Sequence, residues 1–411
     1  MARPAGENEQ IVTAFRDGQV TLRSLRREEG FTNAVKEIGY QAVRTGDLVI
    51  HAMDAFAGAI GVSDSDGKST PVYSVCTALK GETFPQYYGY LLRYMALSGF
   101  INSLAKGIRE RSTDFRWLDA GCVEVPVPTD EEQRVIVKFL DQETAKIDAL
   151  IEEQRRLVAL LKEKLQAVIS HAVTKGLNPA TSTKDSGTNW FYVIPEHWGV
   201  KKLGQICSIV RGGSPRPAGD LRFFNGSFTP WITVGEVTKD DERFLVSTES
   251  MLTEEGAGLS RTIKAGTLIL TNSGATLGVP KILKIAGCAN DGILAFLDLD
   301  PEVNKDYLYF FLSSITGALR ERVKQGSGQP NLNTGIVGAL PIPFPPRAEQ
   351  DQLAEYLVKR LSTFGTLISG AEELISLLQE RRSALISAAV TGKIDVRDYA
   401  TREKAAAVGA L

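Results

Sequence analysis

Two stretches of the sequence place apolar residues at alternating steps of three and four. In the first stretch, the apolar positions are Ile147, Ile151, Val158, Leu161, Leu165 and Val168, with Gln154 as the polar exception. In the second stretch they are Phe364, Ile368, Ala371, Ile375 and Leu378, with Arg382 as the polar exception. Such a narrow seam is typical of a helix that packs on one other helix. We therefore predict two long helices that pair as an antiparallel coiled coil. The alternative is that each helix packs on its own domain.

The two stretches are copies of each other. A constant offset of 217 residues aligns 126–176 with 343–393 without a gap, and seventeen of the 51 aligned pairs are identical. Each copy begins with proline and acidic residues and ends near a glycine, Gly176 or Gly392, as helix ends commonly do. The chain thus has two halves, each a mixed segment followed by a long helix. We predict a first mixed domain at 1–125, a helical spacer at 126–178, a linker at 179–189, a second mixed domain at 190–340, a second helical spacer at 341–395 and a tail at 396–411.

Composition narrows the classes of function. The chain has 411 residues, 43% of them hydrophobic and 23% charged, with a net charge of -2, which is ordinary for a globular protein. Its four cysteines include no C-x-x-C pair and no apolar stretch is long enough to span a membrane, so we predict a cytoplasmic protein with reduced thiols. The three histidines lie far apart, and we predict no metal site. Any contact with nucleic acid would have to come from local clusters of charge or from the surface of a partner.

Catalytic motifs are missing from the sequence. The segment Gly61 to Ser69 resembles a phosphate-binding loop in outline, but it has five residues between its glycines where the motif has four, and it carries two aspartates. We interpret it as a solvated hairpin turn. The amino-methyltransferase tetrapeptide, an Asn, Asp or Ser followed by Pro-Pro and an aromatic residue, is also missing, because Pro345-Pro346 is followed by Arg347. We therefore predict a chain without catalytic residues.

Polar and basic loops supply candidate contacts to nucleic acid. Arginine binds phosphate or guanine, whereas asparagine and glutamine suit adenine. The candidates are Arg211, Gly212, Gly213, Ser214 and Arg216 in one loop, Asn272 and Ser273 in a second, Gln325, Ser327, Gln329 and Asn331 in a third, and Arg109, Arg111 and Ser112 in the first half. The alternative for the Arg109 segment is a solvated surface loop, and the alternative for the loop from Gln325 to Asn331 is turn formation.

Several of these motifs together resemble the DNA-specificity subunit of type I restriction–modification systems. The matching residues in the second half are I-P-E-H-W-G at 194–199, K-L-G at 202–204, G-G-S-P at 212–215, L-P-I-P-F-P-P-R-A-E-Q at 340–350 and A-A-V-T-G-K-I-D at 388–395. The first helical copy matches as V-P-V-P-T-D-E-E-Q and A-V-T-K-G-L. The resemblance covers nearly the whole chain.

The resemblance implies an α+β fold in which two mixed α/β target-recognition domains are joined by two long helices, paired as an antiparallel coiled coil, in a pseudo-two-fold repeat. It implies a non-catalytic subunit that binds a bipartite target in double-stranded DNA. The expected partners are modification (methyltransferase) subunits, two of them, and restriction subunits. S-adenosylmethionine, ATP and Mg would be bound only by those partners, which would methylate adenine and cleave DNA. Helix pairing and subunit docking would involve Ile147, Ile151, Val158, Leu161, Leu165, Ile368, Ile375 and Leu378.

Two other functions stay open at this point. One is a coiled-coil assembly protein that binds partners without recognising a DNA sequence. The other is a fused DNA methyltransferase with an unrecognised cofactor site, which binding of S-adenosylmethionine to the purified chain would reveal.

The two halves differ before the first shared strand. The second half has 71 residues from Glu196 to Gly266, counting both ends, whereas the first has 46 from Met1 to Gly46. Nothing before Gly46 matches the W-G-V-K-K-L-G and G-G-S-P segments of the second half. We therefore predict a first recognition domain that is shortened at its amino end, by a truncated gene, a misassigned start or real divergence. This leaves open whether the first half binds DNA as its relatives do.

Overall fold

The computed structural model describes residues 3–6, 8–26, 38–78, 83–104, 115, 117–324, 331–397 and 399. Its contacts divide the chain into two compact units. Unit 1 consists of the described residues of Met1–Arg156 and Ala371–Leu411, and unit 2 consists of Leu157–Gly370.

The strands, in chain order, are β1 (Val12–Ala14), β2 (Val20–Leu22), β3 (Gln41–Val43), β4 (Leu48–His51), β5 (Ile60–Val62), β6 (Gly67–Ser69), β7 (Tyr73–Cys76), β8 (Thr183–Asp185), β9 (Val193–Pro195), β10 (Gly199–Lys202), β11 (Ser208–Arg211), β12 (Phe224–Ile232), β13 (Phe244–Leu245), β14 (Met251–Leu252), β15 (Arg261–Ile263), β16 (Leu268–Thr271), β17 (Pro280–Leu283), β18 (Gly287–Ala289), β19 (Ile293–Leu297) and β20 (Pro341–Phe344). The helices are α1 (Pro85–Leu97), α2 (Phe100–Ser103), α3 (Trp117–Ala120), α4 (Asp130–Lys175), α5 (Val234–Thr238), α6 (Glu254–Gly258), α7 (Lys305–Lys324), α8 (Thr334–Gly338) and α9 (Arg347–Val390). The long α4 and α9 each contribute one part to each unit.

Unit 1 is built round a small antiparallel sheet with the order β5-β4-β7. Helix α1 covers it, and Leu92 and Ala96 pack in one buried cluster with Ile50 and Ile60. The antiparallel pairs β1-β2 and β3-β6 lie alongside. Because β5 pairs with β4 whereas β6 pairs with β3, the predicted hairpin between them is wrong. The turn instead joins two sheets, and Ser69 on β6 is fully buried.

Unit 2 has two sheets, with the orders β11-β19-β16-β17-β13 and β14-β12-β18-β15. The antiparallel pairs β8-β9 and β10-β20 complete it, and β8 lies within the stretch that we predicted as a linker. Helix α7 is the most buried helix segment here, because Tyr307, Leu308, Phe310 and Phe311 are all fully buried in the main core. That core also includes Trp198.

The sheets repeat as the helices do, with a slightly different offset. An offset of 220 residues relates β3 to β15, β4 to β16, β5 to β17, β6 to β18, β7 to β19 and α1 to α7. Pairings are repeated too, since β4 lies between β5 and β7 as β16 lies between β17 and β19. Unit 2 has β9, β10 and β11 ahead of this repeat, and β11 pairs with the outer edge of β19. Among the described strands of unit 1, none pairs with that edge of β7.

The predicted antiparallel pairing of the long helices is confirmed within each unit. In unit 1, Ile147 and Ile151 of α4 pack with Leu378 and Ile375 of α9. Ile136 near the start of α4 lies in one cluster with Val390 at the end of α9, so the two helices run in opposite directions. In unit 2, the end of α4 (Ala172, Val173) shares a cluster with the start of α9 (Leu353, Leu357). Of the other predicted seam residues, Val158, Leu161, Leu165 and Ile368 are half-buried.

The two polar exceptions in the seam behave differently. Arg382 reaches across the helix pair and binds the Asp148 carboxylate with two hydrogen bonds, of 2.8 and 3.2 Å. Gln154 is half-buried, at a seam position of α4 where the pattern would place an apolar residue. An arginine at a seam position is therefore accommodated by a carboxylate on the facing helix.

A repeated glutamine joins each long helix to its mixed domain. Gln133 is fully buried; it accepts a hydrogen bond from the Phe84 backbone N–H (2.9 Å) and donates one to the Pro128 carbonyl (2.8 Å). Its copy Gln350 is also fully buried and accepts from the Asn304 backbone N–H (2.8 Å) while donating to the Pro345 carbonyl (2.9 Å). In each unit, the glutamine thus connects the start of α4 or α9 to the segment just before α1 or α7.

A repeated tyrosine makes the second connection. The Tyr87 hydroxyl on α1 donates to the Val390 carbonyl at 3.3 Å. The Tyr307 hydroxyl on α7 donates to the Val173 carbonyl at 3.2 Å and to the Pro343 carbonyl at 2.9 Å. Val173 and Val390 are the same position of the helical repeat, in the last turn, where carbonyls lack helical partners.

Within the described residues, no helix is both long and apolar enough to cross a membrane.

Candidate nucleic-acid interface

Three loops of unit 2 meet at one end of its five-stranded sheet. β19 lies antiparallel to both β11 and β16, so the ends of β11 and β16 lie beside the start of β19. The loops that follow or precede these ends are 211–216, 272–274 and 290–292. Together with Asn331, which bridges to Ser273, we call these residues the loop cluster. The sheet topology therefore brings together two loops that the sequence analysis selected, 211–216 and 272–273, with Asn331 from a third. It adds the loop 290–292, which the sequence analysis did not select.

Asp291 organises the loop cluster. Its carboxylate accepts hydrogen bonds from the Ser214 hydroxyl and from the Arg216 guanidinium, the latter at 3.1 Å. Its backbone carbonyl accepts from Arg211 Nε at 2.6 Å and from the Asn272 side-chain amide at 3.1 Å. Four of the predicted residues are thus held by one aspartate that the sequence reasoning did not select.

Asp291 stays ionised in this setting. The hydrogen bond from Ser214 lowers the pKa of Asp291, and the positive charges of Arg216 and Arg211 lower it further, against the opposing effect of partial burial. Arg216 keeps 70% of its side-chain surface exposed and Asp291 keeps 38%. Two arginines and one carboxylate leave the loop cluster with one excess positive charge, which favours an anionic ligand.

Gly212 has to be a glycine in this arrangement. A Cβ atom there would clash with the backbone carbonyl oxygens of Asn290 and Ala289. The close approach lets the Gly212 N–H donate to the Ile293 carbonyl and the Gly213 N–H donate to the Ala289 carbonyl, both at 2.9 Å. A Cβ at Gly213, in contrast, would meet no described atom within 4 Å. The first glycine therefore fixes the loop against β19, whereas the second is sterically free.

Asn272 is buried inside the loop cluster and bonds to its backbone. Its side chain is fully buried, and its amide donates to Asp291 while its backbone carbonyl accepts from the Leu332 N–H at 2.7 Å. We therefore assign it to holding the loops together. Ser273 and Asn331 instead line an open cavity of about 360 Å³, together with Arg211, Val234, Gly274, Asn290, Asp291 and Gly292.

Other predicted contacts fall on residues outside the structure's description. They are Gln325, Ser327, Gln329, Arg109, Arg111 and Ser112.

The sequence analysis did not select Asn290 and Asp291, which stand in an Asn-Asp-Gly triplet between two apolar strands. Such a triplet is a turn signal, and its position opposite the Arg211 loop could be recognised only from the strand pairing.

The corresponding loops of unit 1 carry different chemistry. By the offset of 220, Asn272–Gly274 corresponds to Ala52-Met53-Asp54, and Asn290–Gly292 to Thr70-Pro71-Val72. Polar contacts here include an ion pair between Arg16 and Asp54 at 2.8 Å and a hydrogen bond from the Asp54 N–H to His51 Nδ1 at 3.0 Å. Burial lowers the pKa of His51, which favours the neutral ring. The described part of unit 1 therefore does not repeat the loop cluster.

The long helices expose leucines at repeated positions. Unit 1 presents Leu150, Leu374 and Leu377, and unit 2 presents their counterparts, Leu367, Leu157 and Leu160. Their exposed fractions range from 41% for Leu374 to 54% for Leu377. All three aligned pairs are identical, although none of these side chains is buried in the helix seam. Large exposed apolar side chains that recur at matched positions are candidates for contacts with another protein.

Metal coordination has no candidate among the described residues, since no three His, Cys, Asp or Glu side chains come close enough together to hold an ion.

Comparison with known proteins gives consistent matches. Residues 195–375 match the family model of the type I restriction modification DNA specificity domain. The chain is 23% identical over 385 residues to the specificity subunit of the type I restriction enzyme EcoKI from Escherichia coli, covering 88% of this chain and 77% of that protein. It is 26% identical over 189 residues to the MjaIX specificity subunit from Methanocaldococcus jannaschii, covering 46% of this chain and 42% of that protein's length.

A solved structure has the same fold. It belongs to a type I R-M system for which complex assembly and conformational transition were described. One of its chains matches with a TM-score of 0.67 at 18% identity, covering 85% of this chain and 83% of that chain.

Proposed function

We propose that the chain is a DNA-specificity subunit of a type I restriction–modification system, the family that it resembles in sequence and fold. Unit 2 recognises one part of a DNA target through the loop cluster. The observation that carries this proposal is the convergence of Arg211, Ser214 and Arg216 on Asp291, beside Ser273 and Asn331. These groups come from loops far apart in sequence, and their side chains present donors and acceptors at one edge of the sheet.

The chemistry of the loop cluster suits duplex DNA. Arg216 is largely exposed while one of its nitrogens is held by Asp291, so its remaining donors are oriented for guanine or phosphate. Asn290 and Asn331 border the same cavity and can bind adenine edges. The near-neutral net charge of the chain means that attraction to phosphate depends on such local groups.

We further propose a bipartite target. The segments 1–125 and 190–340 would act as the two target-recognition domains, and the helix pair would set the separation of the two half-sites. Since the described loops of unit 1 lack the Asp291 arrangement, its half-site contacts would use other residues, among which Arg109, Arg111 and Ser112 remain candidates.

The exposed leucines support docking of partner subunits onto the helices. Three identical pairs, one set in each unit, offer two similar apolar surfaces, which suits two copies of one partner. We propose modification subunits as the occupants, with restriction subunits joining the assembly. S-adenosylmethionine, ATP and Mg would then belong to those partners, and adenine methylation and DNA cleavage would take place there, in the cytoplasm.

The proposal can be tested by selection from random DNA duplexes. The chain is mixed with a pool of duplexes, with and without the modification subunit, and retained DNA is sequenced. We expect a motif of two short blocks with a fixed gap. Uniform retention, or none, would favour an assembly protein, and direct binding of S-adenosylmethionine to the purified chain would favour a fused methyltransferase.

A matched pair of glycine variants links that motif to the loop cluster. Gly212→Ala should displace the loop and weaken binding by ~1–3 kcal/mol, the range of one good base contact. Gly213→Ala, the control, should bind normally because its Cβ has room. If both variants select the wild-type motif with wild-type affinity, the loop cluster does not contact DNA.

The two arginines can be assigned by the kind of loss they cause. Arg216→Ala and Arg211→Ala should each weaken binding, with a relaxed base preference at one position if the arginine contacts a base. An equal loss of affinity for all sequences would indicate a phosphate contact. The slope of log affinity against log salt concentration should then fall by about one. Unchanged binding in both variants would remove these residues from the interface.

A further inference from the structure

The difference between the two units extends to a strand and a cavity. In unit 2, β10 pairs antiparallel with β20, matching Gly199 to Phe344 and Lys201 to Ile342. By the offset of 217, β20 corresponds to Glu124–Val127 in unit 1. That segment belongs to no strand. Val127 is 69% exposed, whereas its counterpart Phe344 is half-buried.

Prolines define which edge of this segment can bind another strand. In β20, Pro341 and Pro343 have no N–H group, so the donors available to β10 are those of Ile342 and Phe344. The unit 1 segment reads E-V-P-V-P from Glu124 to Pro128. Val125 and Val127 therefore carry the equivalent N–H donors, and the same alternation directs them to one edge.

Trp198 fills the space next to β20 in unit 2. Its side chain is 1% exposed and its indole N–H donates to the Glu349 carboxylate at 3.0 Å. The ring also lies 3.5 Å from the Cβ position of Gly176, the glycine that ends α4. The indole is thus enclosed between the start of α9 and the end of α4.

Unit 1 has a cavity at the corresponding place. Its volume is about 510 Å³, and it is lined by Tyr87, Pro126, Pro128, Glu132, Ile136, Val390 and Gly392, among others. Glu132 is the counterpart of Glu349, and Gly392 ends α9 as Gly176 ends α4. Within the described residues, the wall that holds an indole in unit 2 is therefore present in unit 1 and borders a cavity instead.

We propose that unit 1 is an acceptor for an extended polypeptide segment of the Ile-Pro-x-x-Trp-Gly type, supplied by a partner chain. The segment pairs antiparallel with Glu124–Val127, and its indole enters the cavity and donates to Glu132. This mode of binding, strand addition to an open edge with a side-chain pocket, gives affinity through the backbone and specificity through the pocket. It is independent of DNA recognition.

Charge and residue type favour this occupant. The unit 2 segment carries His197, Lys201 and Lys202 around its tryptophan, while Glu124 lies on the acceptor segment. The cavity is lined by Glu132, Asp395 and Arg397; Asp395 and Arg397 form an ion pair, so Glu132 leaves one excess negative charge. Hydrogen bonds from Thr129 lower the pKa of Glu132, so the carboxylate is charged at neutral pH. Those bonds use only Oε2. A partly apolar cavity with one excess negative charge suits the N–H of an indole and disfavours a phosphate.

The test uses the intact chain and a synthetic peptide with the sequence of residues 193–205. A labelled peptide is titrated with the chain and its anisotropy is measured, and a Trp198→Ala peptide serves as the control. We expect saturable binding at one site, weakened at least ~10-fold in the control peptide, which corresponds to ~1.4 kcal/mol. Hydrogen exchange at the Val125 and Val127 amides should slow only with the first peptide.

Two protein variants identify the site. Glu132→Gln should weaken peptide binding several-fold, whereas Glu349→Gln should not, because that carboxylate is already engaged by Trp198 and His197. Equal binding of the two peptides, or no change in amide exchange at Val125 and Val127, would overturn the proposal. So would self-association of the chain that Trp198→Ala abolishes, since the segment would then come from a second copy.

Discussion

The two units share the contacts that join helix to sheet and differ in the segments added to that framework. Gln133 and Gln350 make equivalent hydrogen bonds, as do Tyr87 and Tyr307. Unit 2 alone has the β9–β11 segment among the described residues, and this segment supplies both Trp198 and the Arg211 loop. The packing beside β20 and the proposed DNA contacts therefore both depend on this one segment of the chain.

This difference shows what a duplicated fold needs and what it can vary. The buried amide and phenol groups have partners whose loss would leave polar groups unsatisfied. The residues of the loops at the sheet edge can change together, since Asn272–Gly274 is replaced by Ala52–Asp54 in unit 1. A comparison of matched positions in the two units can therefore distinguish residues that support the shared fold from residues that contact DNA.

The largest expected effect is at Trp198, which has no counterpart among the described residues of unit 1. Trp198→Ala should destabilise unit 2 by ~3–5 kcal/mol, as expected for truncation of a fully buried tryptophan. Hydrogen exchange at Ile342 and Phe344 should then become fast, because β20 loses the support of β10. Tyr192→Ala is the control, since Tyr192 is 77% exposed. Unchanged exchange in the tryptophan variant would show that β20 does not depend on this segment.

The next comparison concerns one repeat position with different burial. Leu378 in unit 1 is 8% exposed, whereas its copy Leu161 in unit 2 is half-buried. Leu378→Asp should cost ~4 kcal/mol, because a charge replaces a buried apolar side chain. Leu161→Asp should cost about half as much. Amide exchange along α4 measures both. Equal effects would mean that the seam is equally tight in the two units.

A third comparison tests the shared glutamine. Gln133→Leu and Gln350→Leu should each cost ~2–3 kcal/mol, since each removes a donor and an acceptor from buried backbone groups. Local amide exchange at Phe84 and Asn304 provides the measurement, because these N–H groups donate to the two glutamines. If only one variant is destabilised, the two junctions are not equivalent and the framework comparison fails.

The sequence was sufficient for the helices because their pattern is local and repeated. The steps from Ile147 to Leu165 and from Phe364 to Leu378 define the seam without knowledge of any sheet. Arg382 could not be interpreted in this way, since its partner Asp148 lies on the other helix. The repeat itself identifies the partner helix, although it does not give the register.

The loop cluster could be predicted only in part. Arg211, Gly212 and Ser214 have a suitable local composition, but their common partner Asp291 is 77 residues away from Ser214 in sequence. That contact depends on β11 and β19 being neighbours. Asn272 shows the reverse case, because its polarity suggested a surface residue whereas its amide supports a buried turn. Strand pairing decides both cases, and a single sequence does not encode it locally.

The smallest expected effect is at the two junction tyrosines. Tyr307→Phe should cost ~1 kcal/mol, the usual net value of one hydrogen bond, because its hydroxyl has two carbonyl acceptors, at 3.2 and 2.9 Å. Tyr87→Phe should cost less, since its single bond to the Val390 carbonyl is long, at 3.3 Å.

Burial raises the pKa of Tyr87 from 10.0 to about 12, so the unfolded chain releases this proton first as the pH rises. The wild-type unit should therefore lose stability between about pH 10 and pH 12, and Tyr87→Phe should lose less. Chemical unfolding across this range, followed by amide exchange in α1, measures the difference. Identical pH profiles would show that the Tyr87 hydroxyl is not held in its neutral form.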